Sequence, residues 1–362
     1  MEVKRYLFLA ILALGGVVDV IGCTSAIVSG ELTQDGCPIL WKHRDTGQLD
    51  NKVEHIAREG EIPYVALFNS VDTLCREAWI GMNERGFAIM NTASYNLKND
   101  TVSSMDHEGE VMSLALGCCR TVADFESLLK KMPKPLGVEA NFGVIDAEGG
   151  AAYFETDNWS FRRYDVSDSG EGYLIRTNYS KSGREMEGYG YVRESNAEKL
   201  LAPYVASKSV TPAVFTEVLS RSFYHSLIGK DFAQDSAEWV VDNDFIPRYS
   251  SSASVAIVGA AGKSHLKDMT MWTVLGYPPC GVVVPVTMEN VPEDLKACGL
   301  GGNAPACDRA NLLKKDVFSR LIDRGEKYLN IKALYRLDGN GISQQLTRIS
   351  REVYCEKGIV LE

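Results

Sequence analysis

Hydrophobic and polar positions along the chain follow two rhythms. Short runs that are solidly apolar or alternate every second residue, each closed by Gly, Asn or Asp, predict strands. They are "CTSAIVSGEL" (23–32), "TQDGCPILWKHRD" (33–45), "YVALFNSV" (64–71), "EAWIGMN" (77–83), "GFAIMNTAS" (86–94), "NFGVIDAEG" (141–149), "AAYFETD" (151–157), "GYLIRTNYS" (172–180), "SASVAIVGA" (252–260) and "MTMWTVLGYPPCGVVVPV" (269–286). In the last of these Pro278-Pro279 predicts a turn or a sheet edge. Apolar residues spaced three and four apart predict helices over 111–132, 189–205 and 211–223, the third opened by Thr211 with Pro212 at its first position. From about Val291 to Glu362 the chain is more charged and reads as mostly helical. Runs of short strands with helices in separate blocks predict an α+β layered architecture.

The first two strand segments form a natural hairpin, with a turn at Asp35-Gly36. Antiparallel pairing brings Cys23, at the start of the first strand, beside the charged cluster Lys42-His43-Arg44-Asp45 at the end of the second.

What precedes Cys23 is of another kind. Lys4 and Arg5 lead into an apolar run from Tyr6 to Val18, then small residues including Val20 and Gly22. The run is short for a membrane span and has the charge, core and small-residue order of an export signal, with Cys23 first after the cut. Residues 1–22 are therefore expected to be a leader, and the mature chain to be exported, periplasmic or secreted, with no stable membrane span. An uncleaved anchor or a buried first helix is the competing reading, and Asp19 is an unusual guest beside the apolar run.

Composition narrows the function classes. With 362 residues and 45% apolar content the chain can bury a large core. Its formal net charge of -10 and scattered basic residues exclude a nucleic-acid partner. The nine cysteines show no zinc-like CxxC pairing, so no metal is expected. Cys298 and Cys307 flank a Gly/Pro-rich loop and are the pair a bridge would join; Cys118 and Cys119 read as core residues. The histidines, His43 included, compose no triad or metal pattern and read as solvated or satisfied in the core.

A terminal Cys23 places a thiol and an α-amine on one residue, the amine having a reference pKa of about 7.7–8.0 that suits it to accept the thiol proton. "VIGC" fits a lipoprotein signal equally well, with Cys23 tethered to a membrane through its sulfur. A lipidated cysteine enters a polar linker, whereas this one runs straight into a strand, which favours chemistry over tethering.

The run "CTSAIVSG" followed by "DGCPILWKHRDT", then "GMNERGFAIMNTAS" and "LIRTNYS", resembles the cysteine N-terminal nucleophile (Ntn) hydrolases. It is similar above all to the branch of isopenicillin N acyltransferase and carcinine hydrolase, and more distantly to choloylglycine hydrolases and acid ceramidase. The resemblance covers roughly 23–286 and implies a four-layer αββα sandwich. It implies a catalytic domain over 23–290, with 291–362 as a helical extension packed on it. Residue by residue it implies Cys23 as nucleophile, Asp45 orienting the terminal amine, Asn91 and Asn178 at the oxyanion, and Arg193 near the cysteine. Lys42 stands where relatives carry arginine, with Arg44 adjacent, and a lysine supplies a point charge in place of a planar fork. Arg248, in "IPRYSSSASV", is the candidate for holding a substrate carboxylate. The implied activity is hydrolysis of a linear or cyclic N-acyl amide through an acyl-enzyme, with acyl transfer as its companion, no cofactor, a small-molecule amide as partner and a homo-oligomer open. The alternatives are a surface lipoprotein with a binding role and a dipeptidase of the same superfamily.

Overall fold

The computed structural model describes residues 22–322 and 327–361; the leader expected over 1–22 lies, but for Gly22, outside the described residues. Among the described residues no helix is long and apolar enough to cross a membrane.

Two antiparallel sheets form the centre. The first has six strands: β1 (Thr24–Val28), β2 (Ile39–Asp45), β10 (Tyr173–Arg176), β11 (Ser251–Val258), β12 (Thr270–Leu275) and β13 (Val284–Val286), in the order β10-β1-β2-β11-β12-β13. The second is a seven-stranded meander of β3 (Asn51–Ile56), β4 (Tyr64–Asn69), β5 (Ile80–Asn83), β6 (Ala88–Ala93), β7 (Ala140–Ile145), β8 (Ala151–Thr156) and β9 (Phe161–Asp165), each paired with the next. Strands β3 and β9, its edges, were not among the predicted ones: "NKVEHI" and "FRRYD" carry too many charges to read as strand.

The sheets pack face to face through side chains such as Ile27 and Leu40 from one and Val65, Leu67, Met82 and Met90 from the other. A helical layer covers each outer face. On the meander lie α1 (Glu108–Cys118) and α2 (Val122–Lys131), whose Leu116, Phe125 and Leu129 meet Phe142 and Phe154. On the six-stranded sheet lie α3 (Tyr191–Ala206), helical turns over Val214–Arg221 and α5 (Ile342–Glu356), meeting Trp41 and Trp272. The architecture is thus the αββα sandwich, with both sheets buried between helices.

Three details differ from expectation. The single helix over 111–132 is two helices, because Thr121 caps α2: its hydroxyl accepts from Asp124 N at 3.1 Å while the Asp124 carboxylate accepts from Thr121 N at 3.1 Å. The helix over 211–223 is a π turn followed by a 3-10 turn. Cys298 and Cys307 form no bridge: all nine cysteines are free thiols, with Cys298 donating to Glu293 O at 2.9 Å and buried Cys307 donating to Leu49 O at 3.5 Å.

The C-terminal stretch is anchored to the six-stranded side. The helix α4 (Pro305–Val317) contributes Ala310 and Val317 to a core with Tyr277 and Phe318, and Tyr354 of α5 stacks on Trp272 at 4.4 Å between ring centres.

Candidate active site

Register explains why the charged end of β2 meets Cys23. Thr24 lies opposite His43 and Ser25 opposite Lys42, so Cys23 falls at the level of Arg44 and Asp45. Its sulfur is 3.8 Å from the Asp45 carbonyl oxygen, and the residue is only 7% exposed. The two-residue period of the strand then divides the cluster. Lys42 and Arg44 share the inter-sheet side with Leu40, whereas His43 and Asp45 share the side of Trp41, under the helices.

On the inter-sheet side, Lys42 Nζ donates to Asn91 Oδ1 at 2.7 Å and to Trp79 O at 3.0 Å. Burial pulls this ammonium down to about 8, against the opposite pull of Cys23. Arg44 donates to Asn51 Oδ1 at 2.5 Å and Asn69 Oδ1 at 2.8 Å and lies over the Trp79 ring at 4.7 Å. It is within electrostatic reach of Cys23 and Asp45, but its hydrogen bonds go to asparagines of the meander; burial lowers it to about 10.

On the other side a second set converges. Arg248 Nη2 meets Asp45 Oδ2 at 2.5 Å and also donates to the Gly22 carbonyl. Burial opposes the Arg248 charge, yet the Asp45 carboxylate outweighs it and holds the guanidinium above its usual range. Ser251 Oγ donates to Asp45 Oδ1 at 2.5 Å and accepts from Arg248 N at 2.8 Å. A bulge in β11 makes this contact: Ser251 pairs with Asp45 but Ala253 with Arg44, so Ser252 is the extra residue that turns Ser251 inward. His43 Nε2 completes the group at 2.8 Å from Ser251 Oγ; burial pushes this imidazole down to about 4, so it stands neutral behind the carboxylate.

Arg193 closes the site from α3 and is fully buried, not a helical surface residue. Nη1 donates to Cys23 O at 2.6 Å, Gly22 O at 3.2 Å and Thr24 Oγ1 at 3.0 Å, and Nη2 to Asn178 Oδ1 at 2.7 Å. Burial, and after it the neighbouring Arg248, lower Arg193 to about 9. Gly190, at the N-terminus of α3, has φ +94°, and a Cβ there would lie 2.5 Å from Arg193 Nη2. Glycine at this turn is what admits the guanidinium. Gly22 is constrained in the same way: its Cβ would lie 2.6 Å from Asn178 Oδ1 and 2.8 Å from both Arg193 Nη2 and Arg248 Nη2.

The residues expected in the site, Cys23, Lys42, Arg44, Asp45, Asn91, Asn178, Arg193 and Arg248, thus lie within this cluster or its immediate wall, but Arg248, expected to hold a substrate carboxylate, here pairs with the carboxylate of Asp45. Asn178, expected at the oxyanion, donates one Nδ2 hydrogen to Ala93 O at 2.8 Å while its Oδ1 accepts from Arg193 at 2.7 Å. Sequence reasoning missed Ser251 and treated His43 as an unremarkable core histidine. The signal for the first was present as the hydroxyl run Ser250-Ser251-Ser252 before an apolar strand. The loop 179–190 folds back so that Tyr189 and Asn178 exchange backbone hydrogen bonds at 3.1 and 3.2 Å, and Tyr189 meets Tyr95 edge-on at 5.5 Å.

No protein-family model matches this sequence, and no curated protein does. Solved structures do. A variant of the conjugated bile acid hydrolase from Clostridium perfringens is 11% identical, covering 75% of this chain and 94% of that one at a TM-score of 0.49. Penicillin V acylase from Agrobacterium tumefaciens is 13% identical, covering 74% and 87% at 0.44. The Caenorhabditis elegans ortholog of N-acylethanolamine-hydrolyzing acid amidase is 13% identical, covering 65% and 92% at 0.41.

Proposed function

We propose that this protein is a cysteine amidohydrolase of the Ntn type, in which Cys23, freed as the N-terminal residue, supplies both nucleophile and base. The supporting observation is the convergence of Arg193 and Arg248 on the Gly22–Cys23 peptide at the head of a central strand, with Arg248 also held by the Asp45 carboxylate. The α-amine takes the thiol proton and the thiolate attacks the amide carbon. The resulting ammonium returns that proton to the leaving nitrogen, and the amine departs, leaving a thioester on Cys23. Water, deprotonated by the same amine, then releases the acid. Asn91 is the proposed oxyanion donor: with its oxygen held by Lys42, its amide nitrogen is the end left for substrate, a contribution of about 2.7–4 kcal/mol in comparable sites. Asn178 acts through Arg193, whose guanidinium it orients, and Asp45, clamped by Arg248 and Ser251, steadies the terminal ammonium. Capture of the thioester by an amine in place of water would give acyl transfer.

The same clamp supports self-cleavage of the leader. Guanidinium donors on the Gly22 carbonyl are placed to stabilise an oxyanion there while Cys23 Sγ attacks that carbon. The thiol proton passes to the departing nitrogen, and water hydrolyses the Gly22 thioester. Export of the mature chain is part of this reading. The tethered-lipoprotein reading is less supported, because Cys23 is buried with its sulfur beside Asp45 O, where an attached lipid would displace it.

The test is to screen mature protein and Cys23→Ala against N-acyl amines, N-acyl amino acids, bile-salt conjugates, penicillins and dipeptides. Turnover of a non-peptide amide, lost in Cys23→Ala with the fold intact, is the expected result. Turnover retained by Cys23→Ala, or an active form whose Cys23 sulfur carries diacylglycerol, refutes the proposal.

A further inference from the structure

The segment that clamps Asp45 is itself held from far along the chain. Arg248 and Ser251 flank Tyr249, and the backbone carbonyl of Tyr249 accepts a hydrogen bond from Lys314 Nζ. Lys314 belongs to the last turn of α4, in the C-terminal stretch that lies outside the family resemblance. It is 4% exposed, and its ammonium sits over the Tyr249 ring at 4.5 Å, with Tyr277 at 5.6 Å and Phe318 at 6.0 Å. An aromatic box of this kind favours a cation. On the other side, Asp242 accepts from Tyr249 N at 2.5 Å, so both polar groups of the Tyr249 backbone are fixed by charged side chains. We propose that Lys314 is a positioning residue that presses the Arg248–Ser251 segment onto Asp45, making α4 part of the working site.

This inference rests on the roles given above to Cys23 and Asp45. A surface lysine would serve no such purpose, since exposed charges contribute little, whereas a buried ammonium is retained at the expense of its hydration. Lys314 illustrates this: burial lowers it to about 8, against the opposite pull of Cys280, Asp242, Asp45 and Cys307 around it, and Lys327 shares the Tyr249 ring from 5.2 Å. Removing the ammonium releases the Tyr249 carbonyl and loosens the segment that carries Arg248, the cation paired with Asp45 beside Cys23.

The experiment reads the Cys23 thiol directly and needs no substrate. The rate of iodoacetamide alkylation at Cys23 is followed by mass spectrometry across pH in the mature protein, in Lys314→Met, in Lys314→Gln and in Val317→Ala. Val317 is a buried residue of the same helix, and its truncation weakens packing without touching the ammonium. The expected result is a midpoint raised in both Lys314 variants, with alkylation below it slowed about threefold to tenfold, as the withdrawal of a nearby cation implies. Val317→Ala is expected to lower Tm and leave the midpoint in place. Should Lys314→Met fail to fold, Lys314→Gln, a neutral donor, carries the comparison. An unchanged midpoint in the folded Lys314 variants, or an equal shift in Val317→Ala, overturns the proposal. Absence of amide turnover in the wild type would instead strike the proposed function, and the alkylation profile would still decide the role of Lys314.

Discussion

Lys42→Met separates what a residue does for the fold from what it does for the reaction. Burial lowers the Lys42 ammonium from 10.5 to about 8, which corresponds to roughly 3 kcal/mol. That is the cost of holding the charge in the folded protein near neutral pH. Methionine fills the same volume without it, but leaves Asn91 Oδ1 and Trp79 O without their donor, at about 1–3 kcal/mol each. The two effects nearly offset, so the variant is expected to unfold within about 2 kcal/mol of wild type at neutral pH. Activity should not be spared. With the Asn91 amide no longer held, the oxyanion donor is lost, and kcat/KM is expected to fall on the order of a hundredfold or more. The sign of the pH dependence is a second check. A folded-state pKa below the unfolded one means the unfolded chain binds more protons between the two values, so the wild type recovers stability as pH rises through this range. Between about pH 7.5 and about pH 9.5 the wild type should gain roughly 2 kcal/mol relative to Lys42→Met. Urea denaturation at both pH values, beside kcat/KM, reads all three quantities. A variant that loses many kcal/mol and turns over at the wild-type rate per folded molecule, or a stability gap that moves the other way with pH, refutes the reasoning.

Two further outcomes follow from the same geometry. Gly22→Ala should stall self-cleavage of purified precursor while leaving the fold intact, because the added Cβ meets Asn178, Arg193 and Arg248, whereas a signal peptidase accepts alanine there; N-terminal mass over time distinguishes the two routes. Arg221→Met leaves buried Glu217 without its partner at 2.9 Å and should cost about 3–5 kcal/mol in urea denaturation at neutral pH. Burial already raises Glu217, so this deficit should shrink as pH falls toward the ordinary glutamate range, where the side chain enters the fold neutral.

What was legible in the sequence was local. The apolar run of β1, the Gly turn and the charged end of β2 sufficed to bring Cys23 to Asp45, since a one-residue slip of the hairpin would turn Ile27 and Leu40 to opposite faces. The two-residue period likewise separated His43 from Lys42 and Arg44. The break at Thr121 was written as Thr-x-x-Asp but was masked by an apolar period that continues across it. The bulge that turns Ser251 to Asp45 depends on a pairing with β2 from more than two hundred positions away, and no local pattern specifies it. The contacts of Asn178 to Ala93 and Arg193, and the reach of Lys314 to Tyr249, arise the same way, from packing between distant segments.

The central claim is that sulfur and amine on one terminal residue share the chemistry. It is tested most directly by mixing mature protein with an N-acyl amide that it turns over, quenching in acid within a turnover, and locating the acyl group by mass spectrometry. The account predicts a peptide beginning at Cys23 that carries the acyl group as a thioester on Sγ, with its α-amine free. Steady turnover by protein in which residues 1–22 remain attached, or an acyl group found on any other side chain, would contradict it.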